Sequence, residues 1–220
     1  MCGRYTRTVG WGEVANEFGL PGERFDLPPR YNVAPSQLVP VVALKGDRTA
    51  RGMAMLKWGL VPFWADDPAA SPRPINLRAE SVAFKFGEQF RQKRCLLPAD
   101  GFYEWKSEGR RKRPHRFTLA GGGVFAFAGL WDAWTAGGGP PILTCCSLTT
   151  SPNDLVRPIH DRMPVIVPRA SHAEWLDPAT PERRLRQLLV AFPAERMAVR
   201  EVGPVVNKAT TEGPGCLAAG

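Results

Sequence analysis

Proline and glycine punctuate this chain throughout, 22 of each in 220 residues, and that spacing favours short strands joined by many loops. Apolar runs consistent with strands lie at Leu38–Leu44, Gly52–Leu60, Gly101–Trp105, His115–Leu119, Val124–Trp131, Ile142–Leu148 and Pro164–Val167. Fewer segments have helical spacing. Trp11–Phe18 is one. Arg78–Gln92 is another, with Val82, Phe86 and Phe90 on one face. Three later segments carry helix start signals: Thr150-Ser151-Pro152 ahead of Asp154-Leu155, a capping box at Ser171–Glu174, and Thr180-Pro181-Glu182 opening Glu182–Phe192 with Leu185, Leu188 and Leu189 as its stripe. Gly121–Gly123 and Gly137–Gly139 read as loop tips. No repeat or long low-complexity segment divides the chain. The expected fold is α+β: a single domain, residues 1–220, with a curved, mainly antiparallel, barrel-like sheet and peripheral helices.

Composition narrows the function. Hydrophobic residues make up 44% and charged residues 23%, as in ordinary globular proteins. No apolar run approaches the ~20 residues that span a bilayer, and no secretory signal opens the chain. A cytoplasmic protein with no membrane role is expected. Lysine and arginine exceed aspartate and glutamate by 29 − 21 = +8. A charge of that sign suits a polyanionic partner, and the 7 tryptophans and 11 phenylalanines offer faces for unpaired bases. The 5 cysteines are odd in number and form no Cys-x-x-Cys, which argues against a disulfide framework or a structural zinc site. Cys145 and Cys146, in an apolar run, read as core.

The N-terminus carries the most specific chemistry. Met1 precedes the small residue Cys2, so aminopeptidase action would leave a 1,2-aminothiol. Its amine and thiol have unperturbed pKa values near ~7.7 and ~8.5, so both are partly nucleophilic at neutral pH. An aldehyde could form an imine with the amine, and the thiol could then close a five-membered ring, a proximity effect built into one residue. Taken alone, a second-position cysteine could equally be incidental.

Four further segments accompany Met1-Cys2-Gly3-Arg4-Tyr5. They are Arg30-Tyr31-Asn32-Val33-Ala34-Pro35, Pro74-Ile75-Asn76-Leu77-Arg78-Ala79-Glu80-Ser81, the run Arg94–Trp105 ending Gly101-Phe102-Tyr103-Glu104-Trp105, and Ile159-His160-Asp161-Arg162-Met163-Pro164. In order and spacing, from Cys2 to about Val206, these resemble the SRAP family, described both as SOS-response-associated peptidases and as abasic-site processing proteins. The resemblance leaves a tail at about 207–220. It implies a covalent crosslink between Cys2 and the aldehyde of an abasic site in single-stranded DNA, within the DNA damage response, with no cofactor and no metal, by a monomer.

Residue by residue, the resemblance implies that Cys2 is the nucleophile and that Asn76 holds the terminal amine and the sugar. It gives Glu104 and His160 the proton transfers. Arg4, Arg78 and Arg162 match cations that grip phosphates, and Thr149 falls where the family has an active-site threonine. Physical chemistry agrees for two of these. Glu104 sits in an aromatic stretch that would raise its pKa, and an imidazole such as His160 moves protons near neutrality. Trp64 and Trp105 are candidates to stack on bases, whereas Trp58 and Trp131 read as core. The chain departs from relatives that carry two adjacent tryptophans where it has Trp64-Ala65, and the following Asp66–Pro72 places two acids near the expected DNA path. Two rival classes remain at this stage. One is an N-terminal-nucleophile amidohydrolase, in which the amine serves as base for the thiol. The other is a non-catalytic single-stranded DNA binding module. Self-cleavage ahead of Cys2, or a lyase-type step, is compatible with the same residues.

Overall fold

A computed structural model describes residues 2–220 except Pro21, Glu23, Asp47, Thr49 and residues 136–138. In chain order the elements are β1 (Tyr5–Arg7), α1 (Trp11–Phe18), β2 (Arg30–Val33), β3 (Leu38–Leu44), β4 (Arg51–Trp58), β5 (Asn76–Arg78), α2 (Val82–Lys85), α3 (Gly87–Gln92), β6 (Arg94–Ala99), β7 (Gly101–Glu108), β8 (Arg111–Leu119) and β9 (Phe125–Trp134). There follow β10 (Ile142–Thr150), β11 (Met163–Pro164), β12 (Ile166–Val167), α4 (His172–Leu176), α5 (Glu182–Leu188) and β13 (Met197–Glu201).

One sheet has the order β13-β8-β7-β1-β2, with every pairing antiparallel. In the other, β3 pairs with β4 and β6, β6 with β9, β9 with β10, and β10 returns to β4, so these strands close into a ring. The ring leaves few free edges, the usual liability of a sheet. Two insertions complete it. Where β4 ends, β5 takes over the same edge of β10 in parallel register, Ser147 opposite Asn76 and Thr149 opposite Arg78. Where β9 and β10 diverge, residues 163–167 wedge between them: the Val165 N–H donates to the Leu148 carbonyl at 2.8 Å, and the Ala128 N–H donates to the Val165 carbonyl at 2.9 Å. Gly129 stands at that divergence. A Cβ there would lie 2.8 Å from the Cys146 carbonyl and against the Leu97 side chain, so only glycine lets the strands approach this closely.

The barrel strands alternate their apolar residues between two faces. Val42, Leu96, Ala128, Leu130, Cys146 and Leu148 meet the helices through Phe18, Val82, Phe90, Trp175 and Leu185. Val39, Val41, Leu97, Cys95, Cys145 and Phe127 meet the five-stranded sheet through Tyr5, Phe102 and Phe117. Fully burying one such side chain contributes about 1.5–3 kcal/mol. The chain crosses between sheets at Asp100. This buried carboxylate accepts from the Thr6 hydroxyl and the Thr8 N–H, each at 2.5 Å, and pairs with Arg116 at 3.1 Å. The same cluster fixes β1, the strand that follows Cys2.

The α+β class, the mainly antiparallel sheets and the barrel agree with expectation, and Cys145 and Cys146 are buried in the core. Several local readings do not. The helix expected over Arg78–Gln92 is two short helices broken at Phe86 (φ −134°, ψ 45°), and its first residue belongs instead to β5. Tertiary pairing with β10 overrides helical spacing there. Asp154-Leu155 forms turns, the Ser171 side chain makes no capping bond, and α5 stops at Leu188. The short strands β1, β2, β6 and β13 carried too little periodicity to stand out. Of the glycine tip at Gly137–Gly139, Gly137 and Gly138 lie outside the described residues. Among the described residues no helix is long and apolar enough to cross a membrane. The tail beyond residue 206 is docked, since Asn32 donates to the Lys208 and Thr211 carbonyls and Cys216 packs with Tyr103 and Val206.

Candidate active site at the N-terminal strand

Strand pairing delivers the N-terminal residues to the site. β1 lies between β2 and β7, with Tyr5 opposite Phe102. The Tyr103 N–H donates to the Arg4 carbonyl at 3.0 Å, which extends this ladder and carries Gly3 and Cys2 alongside Glu104. On the other side, β5 places Asn76 and Arg78 on one face because residues two apart share a face. The Asn76 amide donates to the Cys2 carbonyl at 2.9 Å, and the Ser147 hydroxyl donates to Asn76 Oδ1 at 2.5 Å. The Ser147 bond orients the amide so that its N–H faces Cys2.

Cys2, Glu104 and His160 come together. Cys2 is buried, and its thiol lies against the Glu104 carboxylate and the Arg162 carbonyl, the latter at 3.9 Å. Glu104 is 2% exposed, with Oε2 at 3.6 Å from His160 Nε2. Its Oε1 has no hydrogen-bond partner among the described residues. Burial raises the Glu104 pKa above the usual carboxylate range, partly offset by the Cys2 thiol and by His160. The His160 ring is oriented from its own loop. The Arg162 N–H and the Arg162 carbonyl both lie 3.0 Å from His160 Nδ1, and this local contact turns Nε2 toward Glu104. An open cavity of about 470 Å³ beside His160 is bordered by Ser151, Pro152, Arg157 and Asp161. The thiol departs from expectation. Burial, and then the neighbouring Glu104, push its pKa well above its ordinary value, so the resting sulfur carries its proton rather than being partly thiolate.

The cations divide into two groups. Arg78 is exposed at the end of β5. Arg162 is mostly covered: it forms a bidentate pair with Glu80 at 2.7 and 2.8 Å and donates to the Thr149 carbonyl at 2.7 Å. Thr149 itself is buried, and its contact with Arg162 is made by its backbone carbonyl. Arg4 differs most from the phosphate-gripping expectation. Its guanidinium donates to Asn32 Oδ1 and the Val206 carbonyl, each at 2.8 Å, and lies 5.8 Å over the Trp105 ring. Those bonds join the N-terminal strand to the chain's end. Trp105 is half-buried, with its indole N–H on Asn207 Oδ1 at 2.6 Å.

Trp64 is exposed beside Phe63 and Phe86, on a loop anchored from below. The anchor is Asp132, a fully buried carboxylate that accepts from the Phe63 N–H at 2.9 Å, from Gln89 at 2.7 Å and from Lys93 at 2.6 Å. The Trp134 indole adds a bond to the Ala65 carbonyl at 2.6 Å. Trp58 is buried, while Trp131 is half-buried against the core. The acidic insert closes partly on itself, since Asp67 accepts from the Ala69 N–H at 2.7 Å. Sequence reasoning missed Ser147, Glu80, Asn32 and Asp132. Glu80 and Asn32 stood inside quoted motifs with no role attached, and a lone acid within the strand at Leu130–Trp134 was a usable signal for Asp132. Ser147 gave none. Among the described residues no cluster of histidine, cysteine, aspartate and glutamate is arranged to hold a metal ion.

Comparison with known proteins supplies an independent line. Residues 1–209 match the model of the family described as SOS response associated peptidase (SRAP). The chain is 38% identical to the abasic site processing protein YoaM of Bacillus subtilis, over 94% of this chain and 93% of that protein. It is 31% identical to the abasic site processing protein HMCES of Gallus gallus, over 86% of this chain and 66% of that protein. A crystal structure of a Bacteroides thetaiotaomicron protein superposes with a TM-score of 0.89 at 25% identity, covering all of both chains.

Proposed function

The chain belongs to the SOS response associated peptidase (SRAP) family, and from that premise we propose that it processes abasic sites in single-stranded DNA by bonding the Cys2 aminothiol to the sugar aldehyde. The observation that carries this reading is the convergence of Cys2, Asn76, Glu104 and His160 at the end of β1. Loss of Met1 frees the amine. The amine adds to the aldehyde carbon of the ring-opened sugar, and the resulting carbinolamine loses water to give an imine. Glu104, whose raised pKa keeps its proton available to higher pH than an exposed glutamate would, protonates the departing hydroxyl. The Cys2 sulfur then bonds to the imine carbon. The thiol proton passes through the adjacent carboxylate to the former imine nitrogen, closing the thiazolidine. A resting sulfur that still holds its proton suits this order, because the amine acts first and the thiol is activated only when the imine is in place. His160 Nε2 is placed to exchange protons with Glu104 and with the sugar oxygen as the ring opens.

Asn76 fixes the Cys2 backbone, and the exposed Arg78 on the same face of β5 suits a phosphate beside the lesion. In this reading the crosslink shields the lesion during the damage response, and the peptidase of the family description corresponds to exposure of Cys2. Intact-mass measurement tests it. After incubation with a single-stranded oligonucleotide bearing one abasic site, the conjugate should weigh the protein without Met1 plus the oligonucleotide, less one water. Cys2→Ala should give no stable conjugate while still binding DNA. An undiminished conjugate with Cys2→Ala would overturn the reading.

A further inference from the structure

The strand that supplies Glu104 continues outward as a basic arm. β7 and β8 form a hairpin in register from Phe102 opposite Phe117 to Glu108 opposite Arg111. Gly109, at the first turn position, adopts φ 60°, the left-handed conformation that two-residue hairpin loops favour. Side chains alternate along the arm, so Lys106 with Arg113, and Glu108 with Arg111, lie on the same sheet face as Glu104, stepping away from it. Arg110 occupies the tip. From Glu104 to the turn the arm reaches about 17 Å, at ~3.3 Å per residue.

Its charge distribution is hard to explain by folding. Lys106 and Arg113 face each other directly, an arrangement that destabilises a strand pair. Glu108 and Glu201 relieve it, Glu108 at 3.3 Å from Lys106 and 3.2 Å from Arg113. Arg110, Arg111 and Lys112 are all exposed, and no carboxylate among the described residues lies within 4.0 Å of any of them. Lys112, opposite Ser107, points to the other face, but Arg111 on the Glu104 face and Arg110 at the tip are two unpaired cations in line with the site, and they complement a chain of phosphates.

We propose that the β7–β8 hairpin is a second DNA-binding surface, which takes the phosphates of the strand flanking the lesion through Arg110 and Arg111. The proposal rests on the reading of the site as an abasic-DNA site. At ~3.4 Å per phosphate in a stacked strand, the arm spans about five phosphates. It therefore acts on flanking DNA of sufficient length and leaves chemistry at Cys2 untouched.

The test compares wild type with the double variant Arg110→Ser, Arg111→Ser. Both are titrated by fluorescence anisotropy against two oligonucleotides containing a non-reactive abasic analogue. One has long flanks, and the other has fewer than about five nucleotides on each side, too short at ~3.4 Å per phosphate to reach the tip. With long flanks, the double variant should bind more weakly, and the slope of log K against log salt should fall by about 1.4, at roughly 0.7 per lost single-strand contact. With short flanks the two proteins should bind alike. Equal binding to the long oligonucleotide overturns the proposal. So does an equal loss on both lengths, which would place the defect at the site or in the fold. A parallel incubation of wild type with a reactive abasic oligonucleotide separates the two ideas: absence of a conjugate there removes the functional reading, whatever the arm does.

Discussion

Replacing Glu104 with glutamine should make the protein more stable and less active at once. Glu104 is 2% exposed, and burial raises its pKa. Above that raised value the side chain is ionised in both the folded and unfolded chain, and the folded state alone bears the desolvation cost. Below the unfolded value of ~4.3 it is protonated in both, and no cost remains. The carboxyl group therefore favours the native state at low pH, and that advantage is lost as pH rises through the folded pKa. Oε1 has no hydrogen-bond partner among the described residues to offset that cost, and an uncompensated buried polar group costs about 1–3 kcal/mol, more when charged. At pH above the raised value the amide has no charge to desolvate, and removing that cost should recover roughly 2 kcal/mol, which at this chain length is a rise in Tm of about 4–8 °C. As pH falls toward ~4 the difference should vanish. Adduct formation should slow by ~10²–10⁴, because the amide keeps the shape but carries no proton. Differential scanning fluorimetry across the pH range and a time course on denaturing gels measure both effects. A variant that nowhere melts above wild type as pH is raised, or that crosslinks at the wild-type rate, would refute the assignment of Glu104 as a desolvated proton carrier.

The neighbouring groups give further expectations. His160→Gln should slow adduct formation less than Glu104→Gln and slow release more, read as longer persistence of the conjugate after excess competitor DNA is added. Ser147→Ala removes the bond that orients Asn76; a loss of about 1 kcal/mol corresponds to a roughly fivefold slower crosslink in single-turnover assays, with Tm little changed. Glu80→Gln frees Arg162 from its bidentate partner, so non-covalent affinity for DNA at low salt should rise in anisotropy titrations. The crosslinking rate should fall, because the Arg162 backbone positions both His160 and the Cys2 thiol.

The residues of this candidate site were legible wherever they stood within a motif. Cys2, Asn76, Glu104 and His160, named from their motifs, lie together, three of them on or beside paired strands and His160 on the loop before β11. What was not legible depended on solvation and on tertiary partners. The thiol looked partly ionised until its burial against Glu104 was known. Arg4 and Arg78 looked equivalent, yet Arg4 is bound to Asn32 and the chain's end while Arg78 is exposed. Asn76–Arg78 looked like the entry to a helix, and three residues cannot show strand periodicity. Only their parallel partner on β10 makes them a strand. The barrel's closure rests likewise on contacts far apart in sequence, such as Cys145 with Trp58.

The placement of β1 has a mechanical consequence. DNA bonded at Cys2 would pull on the first residues of a strand that lies between two neighbours, not at a sheet edge. A force directed along β1 would load its hydrogen bonds to β2 and β7 in shear, so that they must fail together rather than unzip one at a time. The Thr6 and Thr8 bonds to Asp100, itself paired with Arg116, add a polar lock just behind the point of attachment. A motor enzyme meeting the conjugate would find an anchor that resists extraction until the sheet itself gives way.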